Sequence, residues 1–491
     1  MGAIPQDIPH YEQVVIGTGP TGLGAAWRLY ELGKKNWIVV DACPTAGGLA
    51  CSVVDDQGFT WDMGGHVIFS HYEYFDKLLE SLKPKDHWLD HIRESWVWMR
   101  KKFIPYPLQN NAWQLPEQDL IPVLDGLVKA SQGAYGDNKL PCKNFDDWIV
   151  RSFGEGLANA FMRPYNFKVW AVPTSDMTSH WVGERVATVD LSRILKNMVL
   201  KQDDAGWGPN ATFRFPLHGG TGSIWSDLYD RIPKEFSQMG NAVVKVDAER
   251  HILEFADGKK ISYGSLISTM PLDLLCKSLV GLPEIAAKAS KLRYSSSHII
   301  GIGVEGKPPA NLSTKCWLYF PEEDCPFYRV TVFSNYSPYN VPKPGEQYSL
   351  MCEVSESPVK PVNSSTLVEE TIKGLINVSL LPADAKVVSK WHTRLEHGYP
   401  TPHIGRDDIF NEVDAALMKY SIYSRGRFGA WKYEVANQDH SMMQGVEVVD
   451  HILFGSEELT VRNPNMVNAK KSLGRKNLLL IQATEGKVKY F

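Results

Sequence analysis

The sequence predicts a mixed α/β fold in which a discontinuous Rossmann-like dinucleotide domain carries an inserted helical domain and an inserted antiparallel β-sheet domain. Three observations predict it. Residues 12–41 read as strand, glycine-rich turn, helix and strand; residues 106–205 are mainly helical in pattern; and residues 296–395 alternate apolar and polar in the antiparallel manner. Strand-and-helix patterning returns after each insert. The chain therefore divides into a first nucleotide-binding segment (1–105), a helical domain (106–205), a second nucleotide-binding segment (206–294), a sheet domain (295–405) and a third nucleotide-binding segment with a C-terminal helix (406–491).

Val14-Val15-Ile16 form a short buried strand that runs straight into Gly17-Thr18-Gly19-Pro20-Thr21-Gly22. The helix after it places Leu23, Trp27, Tyr30 and Leu32 on one side and ends at Gly33, a natural C-cap. Trp37 to Val40 is the second strand, closed by Asp41, which lies 24 residues beyond Gly17. The glycines allow a tight turn and close approach of a pyrophosphate to the helix N-terminus, and Asp41 can accept from a ribose hydroxyl. The glycine spacing alone is weak evidence. Between a strand and a helix, with the acid at this distance, it is strong.

Within the helical region the stretch Phe145 to Phe161 is amphipathic, and Gly/Asn/Asp-rich breaks near 133–138 and 203–210 mark loops. Ala242–Val246, Ile252–Phe255, Ile261–Tyr263 and Leu266–Met270 read as strands, the last stopped by Pro271. HIIGIGVEG, CWLYF, FYRVTVF and YSLMCEVS supply the alternating sheet, and a final helix is expected over about 441–453.

Composition narrows the class. A net charge of −4 excludes nucleic-acid binding through bulk basic charge and leaves room for a small anion held by a few local cations. No apolar run approaches the ~20 residues of a membrane helix. The seven cysteines are scattered without a C-x-x-C pair, which argues against a disulfide framework and a metal site and for reduced thiols in the cytoplasm.

Two glycine doublets favour FAD over NAD as the dinucleotide. They are Gly47-Gly48, just after the Asp41 strand, and Gly64-Gly65 in Asp62-Met63-Gly64-Gly65-His66. Paired glycines let main chain approach a flat ring or a pyrophosphate where a Cβ would clash. A third cluster, His218-Gly219-Gly220-Thr221-Gly222, precedes another amphipathic segment. The late helix, entered through Asn437-Gln438-Asp439-His440-Ser441, offers free amides that can stabilise negative charge on a reduced flavin.

The set GTGPTGLGAAWRL, WDMGGHVIFSHYEYFD, IPYPLQNN, RPYNFKVWA, WVGERVA, WGPNATFRFPLHGGTGSIW and FGAWKYEVANQDHSMMQGVE resembles the UDP-galactopyranose mutases, of the eukaryotic type, from residue 15 to about 450. That resemblance implies an amine-oxidase-like FAD fold. It also implies a non-redox isomerisation of UDP-galactopyranose and UDP-galactofuranose, in which N5 of reduced FAD acts as nucleophile on the galactose anomeric carbon. NADPH is the implied reductant, although the chain has no second fingerprint for it. The implied partners are the two UDP-galactose forms and UDP; monomer and homo-oligomer both remain open. The other reading is an FAD-dependent amine-oxidase-like oxidoreductase, against which the paired arginines and tyrosines argue.

Site residues carry over by motif. Arg185 and Arg329 match the pyrophosphate-holding arginines, whose planar forks suit phosphate oxygens. Tyr319, Tyr399 and Tyr433 match phosphate-binding phenols. Tyr106, Gln109, Phe161, Tyr165 and Asn166 match the uridine end, and Asn210 matches a residue that orients sugar and phosphate. Trp317 belongs to the same substrate set, and this chain carries Leu108 where the family often has an aromatic. Gly64, Gly65 and His66 match the loop beside flavin N5. Gly17, Gly19, Pro20, Thr21, Gly22, Asp41, Gly47, Gly48, Leu49, Val244, Thr269, Asn437, Gln438 and Ser441 complete the expected FAD contacts. Segments 179–190 and 202–210 combine glycines with a ligand-contacting residue and are expected to cover the site when ligand binds.

Overall fold

The computed structural model describes residues 8–137, 140–188, 190–205 and 211–472. The dinucleotide unit forms as its spacing demands. Strand β1 (His10–Ile16) leads through the glycine turn to helix α1 (Pro20–Glu31) and strand β2 (Trp37–Asp41). β1 pairs in parallel with β2 on one side and with Lys260–Ser268 on the other. Ser237–Met239 and Ile422–Ser424 extend this parallel core, and Val243–Asp247 with Ile252–Phe255 add an antiparallel ribbon.

Both faces of the sheet are covered, which explains the unbroken apolar run Val14-Val15-Ile16. Val15, Val39 and Ile267 join one core; Val14, Ile16, Val40 and Leu266 join the other. The residues expected as two strands, Ile261–Tyr263 and Leu266–Met270, form the single strand Lys260–Ser268. The late helix runs Gln438–Phe454, slightly longer at each end than its pattern indicated.

That late helix lies directly on α1. A Cβ at Gly24 would sit 2.3 Å from the Met442 carbonyl oxygen, and one at Gly445 would sit 2.0 Å from that of Thr21. Glycine is required at both positions because backbone meets backbone. The contact is locked by buried Arg28, which donates to Asp450 at 2.8 and 3.1 Å.

The second sheet has the order Val387–Pro400, Tyr294–Glu305, Gln347–Glu356, Arg329–Val332, Trp317–Tyr319, Ser95–Met99, Lys102–Pro105. Strand pairing crosses the division drawn at residue 105. Ser95–Pro105, placed by sequence in the nucleotide-binding segment, completes the edge of the other sheet, with Ser95–Met99 pairing in parallel with Trp317–Tyr319. The aromatic alternation of SWVWM satisfies either sheet, so local pattern does not decide between them.

In the helical domain the amphipathic stretch breaks into Phe145–Leu157, a π-helical turn Ala158–Met162 and Arg163–Trp170. The first helix is kinked at Gly154 (φ 72°), whose missing Cβ would fall 2.2 Å from backbone of Gly126 in the neighbouring helix Glu117–Ser131. The extra residue of a π turn rotates the next helical segment about its axis. Here Phe161, Met162, Tyr165 and Asn166 all come to face one cavity.

Candidate active site

A cavity of about 860 Å³ runs from the glycine turn of β1–α1, past the Gly64–Gly65 loop, to a box of aromatic and cationic side chains between the second sheet and the helical domain.

At the nucleotide end, Gly17, Gly19, Pro20, Thr21, Asp41, Gly48, Leu49, Thr269, Asn437, Gln438 and Ser441 line the wall. Pro20 opens α1 at its first turn, where the missing N–H has no helical partner to lose. Asp41 accepts from Thr18 N at 2.6 Å, Thr18 Oγ1 at 2.7 Å and Cys43 N at 2.8 Å, so it fixes the turn as well as facing the cavity.

Three expected cofactor contacts fall outside the lining. Gly22 shapes the turn instead: a Cβ there would lie 1.8 Å from the Gly17 carbonyl oxygen. Gly47 holds φ 113° and donates to Thr18 O at 2.9 Å, which anchors its loop to the fingerprint. Val244 is 43% exposed, while Asn241, Ala242 and Val243 line the cavity. A register irregularity between Val243 and Lys245 accompanies that shift. The His218–Gly222 cluster packs on buried Asp62, to which Thr221 donates, and lines no part of the cavity. Burial pushes the Asp62 carboxyl up to about 7.

The chemistry of this wall fits FAD. Gly19 and Gly48 meet closely enough that a Cβ on Gly48 would lie 3.2 Å from Gly19 Cα, so the cradle admits no side chain where a pyrophosphate would pass. Its helix N-terminus offers amides for that group.

The middle of the cavity is the Met63–Gly64–Gly65–His66 loop. A Cβ at Gly65 would meet Thr331 Oγ1 at 2.8 Å, Glu353 Oε1 at 3.1 Å and Trp317 Nε1 at 3.2 Å. The loop is thus pressed against the second sheet. Burial lowers His66 to about 4, so its ring is neutral at pH 7, and its buried Nδ1 has no partner among the described residues.

At the far end, Phe161 and Tyr165 stack 5.4 Å apart, and Tyr106 and Tyr165 flank Tyr319 at 5.0 and 5.6 Å. Gln109 donates to Ala187 O at 3.0 Å with its Oε1 unpartnered, and Asn166 donates back to Met162 O at 2.7 Å. Leu108 is fully buried in the helical core. Asn210 lies outside the described residues.

The two expected arginines differ. Arg329 is bound on both sides of one carboxylate: Nε donates to Glu353 Oε1 at 2.7 Å and Nη2 to Oε2 at 2.6 Å. Burial alone would raise Glu353, but Arg329, the Tyr328 hydroxyl and the Gly65 N–H outweigh it and hold the carboxyl below its ordinary range. Arg185 donates to Glu434 O at 3.0 Å and lies 4.5 Å over the Tyr433 ring, with no carboxylate partner among the described residues.

A third cation escaped the sequence reading. Arg427, half-buried and drawn below its ordinary pKa by desolvation, lies 4.8 Å over Tyr399 and donates to Gly398 O at 3.2 Å. Glu353, Tyr328, Met63 and Arg93 also line the cavity and were not anticipated. A legible signal existed for Glu353, an acid in the middle of the apolar strand Leu350-Met351-Cys352-Glu353-Val354. Arg427 carried no comparable mark.

The expected cover is partly visible. Trp181 and Val182 are buried at 4% exposure, and Thr178 N donates to Pro402 O, so 179–188 is already seated on the wall. Arg185 was expected to gain partners only with ligand; it holds protein partners here, leaving its buried Nε unpartnered. Residues 202–205 are tied down through Asp204, which pairs with Arg193 and accepts at its carbonyl from Asn111 at 2.8 Å, while 206–210 lie outside the described residues. UDP should still increase hydrogen-exchange protection over 179–188, since a phosphate would engage that Nε; unchanged exchange at saturating UDP would remove this segment from the site.

Residues 20–408 match the family of flavin containing amine oxidoreductases. A crystal structure of reduced UDP-galactopyranose mutase superposes with a TM-score of 0.91 at 52% identity, covering 95% of this chain and 98% of that one. A putative protoporphyrinogen oxidase from Exiguobacterium sp. 255-15 gives 0.67 at 15% identity, covering 93% and 100%. A putrescine oxidase bound to putrescine gives 0.61 at 13%, covering 90% and 99%. The last two share the fold alone. The chain belongs to the flavin-containing amine oxidoreductase family, and within it to the UDP-galactopyranose mutases.

Proposed function

We propose that the protein interconverts UDP-galactopyranose and UDP-galactofuranose with FAD as its cofactor. The observation that carries this reading is the box itself, in which Arg185, Arg329 and Arg427 converge with Tyr319, Tyr399 and Tyr433 in the cavity that the Gly64–Gly65 loop also lines. A diphosphate bears the charge that such a box attracts, whereas an amine substrate would be repelled by it.

The residues divide the work. Arg185 and Arg329 hold the pyrophosphate, with Tyr319, Tyr399 and Tyr433 donating from neutral phenols; burial raises Tyr399, which keeps that donor protonated at neutral pH. Phe161 and Tyr165 offer a stacked surface to uracil, and Tyr106, Gln109 and Asn166 border it. The glycine turn, Asp41, Thr269 and the N-terminus of Gln438–Phe454 would hold FAD, with Gly64, Gly65 and His66 lining the same cavity. Bound and reduced, the flavin supplies a nitrogen nucleophile for the anomeric carbon with no net redox change. Trp170 and Trp181, packed edge-on against Tyr433 at 4.7 and 5.5 Å, form an apolar wall that limits water.

The motifs resemble those of the eukaryotic type, and we include that type, NADPH as reductant, a role in galactofuranose supply and a cytoplasmic location in the proposal. Among the described residues no helix is long and apolar enough to cross a membrane. Incubating the dithionite-reduced protein with UDP-galactofuranose should yield UDP-galactopyranose by chromatography. Absence of product from reduced, flavin-loaded protein would overturn the reading.

A further inference from the structure

We infer that Glu353 is a positioning residue that joins the diphosphate-facing Arg329 to the flavin-facing Gly64–Gly65–His66 loop, so that occupancy of one pocket is felt in the other. The inference rests on the FAD and UDP reading above.

The sheet register creates the junction. Glu353 and Arg329 are directly opposed on antiparallel strands, so their side chains leave the same face within reach of each other. The Glu353 side chain is 2% exposed, and both of its oxygens are fully used. Oε1 accepts from Gly65 N at 2.8 Å and from Arg329 Nε; Oε2 accepts from the Tyr328 hydroxyl at 2.7 Å and from Arg329 Nη2. No acceptor position is left to absorb a displacement.

The loop on the other side has equally little slack, because Gly65 is in contact range of Thr331 and Trp317 as well as of the carboxylate. Trp317 in turn lies under the Arg329 guanidinium, 4.8 Å from its ring centroid. A phosphate that draws Arg329 toward the cavity must therefore stretch a buried charge-assisted bond or carry the carboxylate, and with it the Gly65 N–H. Gly65 and His66 line the same cavity as the glycine turn, so a bound flavin would meet that loop and the energy of the strain would differ with the state of its ring. Such a coupling is reciprocal: whatever UDP does to the flavin equilibrium, flavin reduction does to UDP affinity.

The experiment compares UDP affinity in oxidised and dithionite-reduced holoenzyme by calorimetry, with the flavin midpoint potential measured in the presence and absence of UDP. In the wild-type protein the two affinities should differ by roughly fivefold or more. Glu353→Gln, which preserves shape but weakens the grip on Arg329, should bring that ratio toward one and abolish most of the UDP-induced shift in potential. If Glu353→Gln does not retain flavin, Arg329→Lys, which cannot hold both oxygens, serves instead and should lower the ratio likewise. A ratio unchanged in Glu353→Gln, or in Arg329→Lys where that variant serves, overturns the inference. So does a wild-type protein that binds UDP equally in both states. A wild-type protein that does not bind UDP at all counts against the functional reading instead.

Discussion

Arg329→Ala should destabilise the protein by about 3–5 kcal/mol, because it leaves Glu353 charged and buried with no cation. Arg185→Ala should cost about 1 kcal/mol, since Arg185 gives up hydrogen bonds to Glu434 O and the Asn437 side chain but strands no carboxylate. Both variants should weaken UDP binding tenfold to a hundredfold, as each removes charge-assisted bonds worth about 1.5–3 kcal/mol. The contrast is the sharp part. Denaturant unfolding of the two holoproteins separates them, and the flavin spectrum should change only in Arg329→Ala, through Glu353 and Gly65. Equal losses of stability would show that the Arg329–Glu353 pair does not carry the weight given to it.

Turnover should vanish in air without reductant and return with dithionite. The side chains near the reacting sugar give the reason. Among the described residues the box offers cations, phenols and the Glu353 carboxylate, whose four acceptor positions are filled; Glu396 also borders the cavity and is engaged by Tyr294 and Arg394. His66 is neutral and held to about 4 by burial, so it provides no charge change between pH 5 and 8. No protein group there is placed to attack an anomeric carbon. That capacity must come from reduced flavin N5, whose lone pair is available only after reduction. Equal turnover under air and under dithionite would leave the fold assignment standing and remove the mechanism.

The cofactor half of the molecule was largely legible in the sequence, since its determinants are short-range. A strand, a helix and glycines within some thirty residues constrain one another locally. Where longer registers enter, legibility fell. Val244, expected among the FAD contacts, is 43% exposed beside a register irregularity that is invisible without the partner strand. The pairing of Ser95–Met99 with Trp317–Tyr319 was not legible, because the partner lies more than two hundred residues away. In the substrate half, motif position carried Arg185, Arg329 and the tyrosines into one cavity. It did not convey that Arg329 arrives already neutralised, because the carboxylate that grips it sits on another strand and also reaches back to Gly65 across 288 positions. Arg427 was missed for a related reason. Its significance lies in having no carboxylate partner among the described residues, which only a folded neighbourhood reveals.

The glycine-lined seam between α1 and the late helix bears on how the protein is made. Its bonds join Arg28 to Asp450, 422 positions apart, and one wall of the cofactor cradle stands on each side of it. Closing so long a loop is entropically costly and kinetically slow. During synthesis the helical and sheet inserts, rich in nearer contacts, can take shape while the N-terminal fingerprint still waits for its partner. A cofactor cradle whose walls meet across that seam is complete only once the seam closes, so FAD that binds the finished form would favour it by mass action. Flavin shortage should therefore lower the folded fraction of this chain, and the amount of soluble protein recovered from flavin-limited cells should fall.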